Sequence, residues 1–139
     1  MAMIAGLAAC GQAQPAEPTA VLQTAYERLN KGDLDGFMTF LAADAVMLDD
    51  SGRYNGPQAI REHLQQDVIA NQVRFELKNL ASKGHVVTYS YDAYVGDMVV
   101  DSHDSVDVIV DGQILFDGTA QLYDFECTRD PSQAFCAAS

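Results

Sequence analysis

Residues 25–64 read AYERLNKGDLDGFMTFLAADAVMLDDSGRYNGPQAIREHL, and this stretch decides the fold of the 139-residue chain. Over residues 19–30, apolar side chains recur at helical spacing, which predicts a first amphipathic helix. Gly32 favours the end of that helix, and the carboxylate of Asp33 can cap a second one. A short extended segment follows, and Gly56-Pro57 then starts a third helix with proline in its first turn, where the missing N–H costs nothing.

The second half of the chain changes its hydrophobic period from helical to alternating. Residues 73–78 alternate apolar and charged side chains, and long strands are predicted over 85–95 and 98–110. Asp111-Gly112 is a strong hairpin signal, after which residues 113–125 complete an antiparallel meander of about four strands. Three N-terminal helices followed by such strands predict an α+β fold in which the helices pack on a curved antiparallel sheet.

Three segments resemble the nuclear-transport-factor-2-like superfamily, which includes ketosteroid isomerases, limonene-epoxide hydrolases and SnoaL-like polyketide cyclases. They are the helix break LNKGDLD at 29–35, the segment ADAVMLD at 43–49 and the GPQAI motif at 56–60. The resemblance covers residues 19–126. It implies a cone-shaped domain with an apolar pocket between the concave, strongly curved sheet and the helices.

The charge balance of the chain is strongly acidic. Eight lysine and arginine residues stand against 20 aspartate and glutamate residues, which gives a net charge of −12. This balance argues against nucleic-acid binding, because lysine and arginine must neutralise the phosphates. Many of the aspartates fall on predicted strands and turns, where a solvated acidic surface is the simplest interpretation. No calcium-binding loop spacing is present, and we expect no metal and no cofactor.

The three cysteines fall in two different contexts. Cys10 lies in LAACG, which resembles a bacterial lipobox, and the Pro/Ala-rich residues after it suit a flexible tether. Residues 1–18 are therefore predicted to be a truncated lipoprotein signal and tether, with a lipid on Cys10 as the only membrane contact. Cell-envelope or periplasmic localisation follows, with the cytoplasm as the alternative. Cys127 and Cys136 could close a disulfide that attaches a C-terminal tail, 127–139, to the last strand, or they could remain free thiols.

Three aspartates are candidate catalytic residues on the resemblance to known family members. Asp49 matches the general base of ketosteroid isomerases, although Asp50 replaces the usual proline after it. Asp107 resembles the strand aspartate that those isomerases keep protonated as an oxyanion donor. Asp92 resembles the water-activating aspartate of limonene-epoxide hydrolases, although Ser90 replaces the family's arginine. A carboxylate inside an apolar pocket has a raised pKa and can transfer protons near neutral pH.

Tyrosine and histidine side chains complete the candidate pocket. A tyrosine offers an apolar ring together with a hydroxyl that can orient an oxygenated ligand. Tyr26 lies one helix position away from the tyrosine of the isomerase oxyanion hole, whereas His63 is expected only to pack at the edge of its helix. The candidate ligand-pocket residues are Tyr26, Tyr54, Tyr91, Tyr94 and His103.

Two functions remain open from the sequence. The first is an isomerase, cyclase, lyase or hydrolase that uses a pocket aspartate to transfer a proton on a small apolar or oxygenated molecule. The second is a non-catalytic ligand-binding or dimerisation module of the cell envelope. Both faces of the strand at 85–95 carry side chains that favour burial, which predicts a homodimer under either function.

Overall fold

A computed structural model describes residues 17–138. Cys10 lies outside the described residues, so its lipidation stays a prediction. Within the described residues, no helix has the length and the apolar character needed to cross a membrane.

Three helices form the N-terminal layer: α1 (Pro18–Asn30), α2 (Leu34–Met38) and α3 (Pro57–Leu64). The apolar stripe of α1 is buried as its spacing predicts, and the Asp33 carboxylate caps α2 by accepting a hydrogen bond from the Gly36 N–H at 2.9 Å. After α3 the chain widens into one π-helical turn, Gln65–Ile69, a feature that is frequent at functional sites. Within that turn Val68 is buried in the core, whereas the Asp67 side chain is largely exposed.

Six strands form one sheet in the order β2-β1-β6-β5-β4-β3. All neighbouring strands are antiparallel except β1 and β6, which are parallel. Register shifts interrupt three antiparallel ladders, and such irregularities bend a sheet. The strands are β1 (Leu41–Asp49), β2 (Gly52–Asn55), β3 (Val73–Lys83), β4 (Val86–Val95), β5 (Met98–Val110) and β6 (Gln113–Thr119).

The last strand of the structure is shorter than the predicted segment 113–125. The β6 strand ends at Thr119, whose hydroxyl accepts a hydrogen bond from the Leu122 N–H and caps the helix α4 (Ala120–Arg129). This helix runs through residues 126 and 127, where the sequence suggested a domain edge. A further short helix, α5 (Ala134–Ala137), follows it.

Helices cover both faces of the sheet. On one face, α1 crosses β3, β4 and β5, and the Asn30 side chain bonds the backbone of Phe75 on β3 at 2.8 Å. On the other face, Phe116 of β6 packs against Phe135 of α5 at a ring distance of 4.5 Å and against Tyr123 of α4. Because side chains alternate along a strand, the neighbour of Phe116, Asp117, points to the α1 face.

A disulfide between Cys127 and Cys136 joins α4 to α5, with the two Cα atoms 5.5 Å apart. The same helix pair is clamped by Arg53 of β2, whose guanidinium donates to Glu126 Oε1 at 3.0 Å and to Gln133 Oε1 at 2.9 Å. The sequence suggested that such a bridge would attach the tail to the last strand. The bridge instead closes the C-terminal helices on themselves, and Phe135 supplies the contact with the strand.

Replacing both cysteines by serine is expected to lower the free energy of unfolding by about 2–3 kcal/mol, because the closed loop restricts the unfolded chain. Urea unfolding followed by circular dichroism measures the change. Dithiothreitol should destabilise the wild-type protein to the same extent and leave the C127S/C136S variant unaffected. Equal stability of the oxidised and reduced wild-type protein would contradict the expectation.

Candidate functional site

A cavity of about 310 Å³ lies between the helical layer and the facing side of the sheet. Its wall is largely apolar and aromatic. Phe75 of β3 contacts the rings of Tyr26 and Tyr91 edge-on, with centroids 5.4 and 5.5 Å away. This lining suits a small molecule with an apolar body.

One rim of the cavity carries a histidine between two carboxylates. His63 Nε2 lies 2.8 Å from Asp49 Oδ2, and His63 Nδ1 lies 2.8 Å from Asp67 Oδ2. Asp49 is the last residue of β1, and Asp67 lies in the π-helical turn, four residues after His63. The ring of Tyr54 stacks on the imidazole at 3.9 Å, which fixes its plane.

The electrostatics of this rim favour the charged pair. Burial alone would raise the pKa of Asp49, but hydrogen bonds from His63 and Ser51 outweigh it and lower that pKa. Burial alone would lower the pKa of His63, but the hydrogen bonds and charges of Asp49 and Asp67 outweigh it and raise that pKa. Asp49 is therefore an ionised carboxylate beside an imidazole that holds its proton readily.

The stabilisation from the Asp49–His63 contact is expected to be greatest between about pH 4 and 6.5. The contribution of Asp49 is present above its unfolded pKa and is lost as the pH falls through its lowered folded pKa. The contribution of His63 is complete below its unfolded pKa and is lost as the pH rises through its raised folded pKa. His63→Gln should therefore destabilise the protein more at pH 5.5 than at pH 8.5 in urea unfolding. His85→Gln, at an exposed turn, is the control, and a pH-independent effect of His63→Gln would contradict the assignment.

The floor of the cavity carries a second polar cluster, built on β5 and β6. Asp107 and Asp117 are directly opposite each other across these strands, and their relative exposures are 0% and 8%. The Tyr26 hydroxyl donates to Asp117 Oδ2 at 2.7 Å, and the Tyr89 hydroxyl donates to Asp107 Oδ1 at 2.6 Å. Asp117 lines the cavity, whereas Asp107 lies behind that lining.

Burial dominates the titration of this floor. It raises the pKa of Asp107 well above the usual range, and the neighbouring Asp117 charge raises it further. Burial also raises the pKa of Asp117, although the hydrogen bond from Tyr26 opposes it. The pKa values of both tyrosines are raised, first by burial and then by the adjacent carboxyl groups.

His103 occupies the other side of the cavity opening. Its Nε2 atom lies 3.1 Å from Asp101 Oδ1 and 3.4 Å from Asp50 Oδ2, and its ring contacts Tyr91. Among residues 17–138, no group of three or more histidine, cysteine, aspartate or glutamate side chains has the arrangement needed to hold a metal ion.

The structure brings part of the predicted site together. The cavity is lined by four of the predicted residues: Asp49, Tyr26, Tyr91 and His103. Tyr54 is not among the lining residues but stacks on the ring of His63. Tyr26 reaches the cavity despite its shifted helix position.

Asp92 and Tyr94 do not line this cavity. Side chains alternate along β4, so Tyr91 faces the cavity whereas Asp92 and Tyr94 point to the opposite side. There Asp92 bonds Lys78 at 2.8 Å and Ser102 at 2.6 Å, and the Tyr94 ring lies 4.6 Å from the Arg74 guanidinium. This placement removes both residues from the set that can touch a ligand in the cavity.

Two polar residues that line the cavity were not found from the sequence. His63 was expected at the edge of its helix but is buried between two carboxylates. Asp117 was not singled out, because Asp117-Gly118 has the same composition as the Asp111-Gly112 turn. A register shift between β5 and β6 interrupts the alternation here, and Leu115 packs with Phe116 on the side of the C-terminal helices, so no simple alternation marks Asp117 as inward-facing.

The chain was compared with known protein families and solved structures. Residues 22–124 match the SnoaL-like domain family. The fold is similar to a Δ5-3-ketosteroid isomerase from Mycobacterium sp., with 17% identity, a TM-score of 0.60, and coverage of 75% of this chain and 92% of that one. It is also similar to an NTF2-like protein of unknown function from Cytophaga hutchinsonii, with 10% identity, a TM-score of 0.65, and coverage of 81% and 97%. A candidate polyketide cyclase from Sinorhizobium meliloti matches with 18% identity, a TM-score of 0.63, and coverage of 74% and 98%. No curated protein matched the chain.

Proposed function

Since the chain belongs to the SnoaL-like domain family, we propose that its cavity binds a small, largely apolar, oxygenated molecule and that Asp49 moves a proton on it. The observation that carries this proposal is the position of Asp49. Its side chain is 35% exposed, lines the cavity, and is held by His63 on one oxygen and by Ser51 on the other. A fixed carboxylate at the wall of an apolar cavity is the arrangement that general-base catalysis requires.

The reaction class is proton abstraction from a carbon next to a carbonyl group. Asp49 takes the proton, the electron pair of the broken C–H bond moves into a carbon–carbon double bond, and charge develops on the carbonyl oxygen. When the ligand also carries a carbon–carbon double bond next to the reacting carbon, returning the proton to the far carbon of that double bond gives an isomer and restores the Asp49 carboxylate. The step needs neither an oxidant nor a reductant.

The groups around Asp49 prepare it for this role. His63 keeps the carboxylate ionised and fixes its direction, and Asp67 holds the opposite nitrogen of the imidazole. A ligand that fills the cavity displaces water from the half-buried carboxylate. This desolvation raises the pKa of Asp49 and makes it a stronger base once the substrate is bound.

A binding or dimerisation module of the cell envelope is the second candidate function. It is favoured by exposed apolar side chains at the hairpin between β4 and β5, next to the cavity opening: Val95, Met98, Val99 and Val100. The Cys127–Cys136 disulfide suits an oxidising compartment such as the periplasm. Lipidation at Cys10 and a homodimer belong to the same proposal, with the cytoplasm as the alternative location.

Hydrogen exchange separates the two functions without knowledge of the natural substrate. Purified protein is incubated with a panel of cyclic ketones in deuterated buffer, and deuterium at the carbon beside the carbonyl is measured by mass spectrometry. Native mass spectrometry of the same protein identifies any co-purified ligand. Exchange above the buffer rate supports proton transfer, whereas a bound ligand without exchange supports the binding module. A protein that exchanges no ketone, holds no ligand and is a monomer in native mass spectrometry would contradict both.

A further inference from the structure

Exposed apolar side chains are concentrated at one hairpin beside the cavity opening. Five large apolar side chains are exposed within residues 17–138, and four of them lie at the hairpin between β4 and β5: Val95, Met98, Val99 and Val100. A group of exposed apolar side chains that are close together marks a surface that contacts a ligand or a partner.

The wall of the cavity continues onto this hairpin. Tyr91 and Ala93 of β4 line the cavity, and alternate residues of a strand share one face, so Val95 lies on the cavity side of the sheet. Val95 pairs directly with Val73 of β3, which lines the cavity, and with Met98 of β5. Side chains that pair directly across strands share a face, so Met98 lies on the cavity side as well.

Val100 reaches the same side through a bulge in β5. Ala93 pairs with Asp101 and Tyr94 pairs with Val99, so Val100 is an extra residue without a partner on β4. Bulges of this kind change the direction of a side chain, and Val100 lines the cavity although it is 50% exposed. Val99 lies on the opposite side of the sheet with its partner Tyr94.

We propose that the apolar strip formed by Val95, Met98 and Val100 binds a neutral aliphatic chain of the ligand that projects from the cavity. The ligand is then a compact oxygenated ring or head group with an uncharged alkyl tail. Val95 and Met98 determine the preferred length of that tail. The inference rests on the proposed function only in taking this cavity as the ligand site.

The size of the cavity limits the part of the ligand that it can enclose. An apolar cavity of about 150 Å³ holds one benzene ring. The cavity of about 310 Å³ therefore has room for about twelve non-hydrogen atoms. A longer ligand extends through the opening, where the strip offers it an apolar surface that is continuous with the lining.

The charges around the strip favour a neutral tail over other occupants. Asp97 is exposed at the hairpin turn, and Asp101 directly follows Val100. A tail that ends in a carboxylate, or an anionic lipid surface, would be repelled by both aspartates. A second copy of the chain would bring its own net charge of −12 to the same place. Three side chains are also far less than the roughly 800 Å² that each partner buries in a standard interface.

Two 4-alkylcyclohexanones test the strip by ligand-observed NMR. The pentyl compound matches the capacity of the cavity, whereas the heptyl compound exceeds it by two methylene groups. We expect the heptyl compound to bind the wild-type protein about fourfold more tightly, because each half-buried methylene contributes roughly twofold. Replacing the terminal methyl of the heptyl chain by a carboxylate should remove this gain.

Near-isosteric polar substitutions test which residues hold the tail. The double variant V95T/M98Q should bind the two ketones with affinities within about 1.5-fold of each other, while its affinity for the pentyl compound equals that of the wild type. Val99→Thr is the matched control, since Val99 lies on the same hairpin but faces away from the cavity, and it should keep the fourfold gain. These side chains are exposed, so circular dichroism should show folded variants.

Equal affinities of the two ketones for the wild-type protein would overturn the inference, as would a gain that survives the double substitution or the carboxylate. A wild-type dimer that V95T/M98Q converts into monomers in native mass spectrometry would also overturn it, because the strip would then be covered by a second copy.

The outcomes distinguish this inference from the proposed function. Asp49→Asn should keep the gain with chain length, because Asp49 is not part of the strip. A protein that shows the gain but exchanges no ketone would show that only the proposed proton transfer fails. A protein that exchanges ketones without the gain would show that only the binding of the tail fails.

Discussion

Asp49→Asn is expected to lower the rate of protein-catalysed hydrogen exchange in ketones by about 10²–10⁴-fold, the usual contribution of a positioned general base. Asparagine has nearly the same shape and still accepts a hydrogen bond from His63, but its amide cannot take up a proton. We therefore expect the exchange rate to fall while the apparent affinity for the ketone stays the same. Deuterium incorporation measured by mass spectrometry at several ketone concentrations gives the rate and the apparent affinity separately.

Asp44→Asn is the matched control, because Asp44 is an exposed aspartate on the same strand, β1. It should change the exchange rate by less than about twofold. The Asp49→Asn variant should retain its thermal midpoint within a few degrees, since the side chain is partly exposed. An exchange rate within about threefold of wild type would remove Asp49 from the role of base.

Phe116→Ala is expected to lower the free energy of unfolding by about 3–5 kcal/mol, the range for truncating a fully buried phenylalanine. The ring is 0% exposed and packs between β6 and the C-terminal helices, with Phe135 and Tyr123 as its aromatic neighbours. The disulfide holds α5 in place, so the helices cannot readily close the space that the substitution leaves. Urea unfolding followed by circular dichroism gives the free energy.

Phe125→Ala provides a matched comparison, because Phe125 lies on α4 but is 61% exposed. Its substitution should change the stability by less than about 0.5 kcal/mol. If Phe116→Ala cost no more than Phe125→Ala, the C-terminal helices would not pack on the sheet as described.

Local patterns predicted the elements whose structure depends on local contacts. The apolar residues of α1 are buried at the predicted spacing, and Asp111-Gly112 forms the hairpin turn with both residues at positive φ. The β5 strand spans the predicted residues 98–110. In each case the residues that determine the structure are close in sequence, so the pattern carries the information.

The features that the sequence did not predict depend on distant partners. The β1 strand pairs in parallel with β6, more than 60 residues away in the chain, whereas the sequence predicted only antiparallel neighbours. Asp117 acquires its environment from Asp107 across the strand pair and from Tyr26 on α1. His63 and Asp67 have the i,i+4 spacing of neighbouring side chains on a helix, whereas Asp49 reaches His63 from a different element, β1. The contacts of Asp117 and the contact between Asp49 and His63 have no periodicity that can be read from one sequence.

Adjacent residues of β6 serve opposite sides of the molecule. Phe116 anchors the C-terminal helices, and Asp117 forms the floor of the cavity. A single thickness of backbone therefore separates the cavity from the C-terminal helices. Truncation of the protein at residue 126, the end of the segment that resembles the family, would remove Phe135 and α5 from the other face of β6. We expect such a truncation to disrupt the cavity although it changes none of the cavity-lining residues.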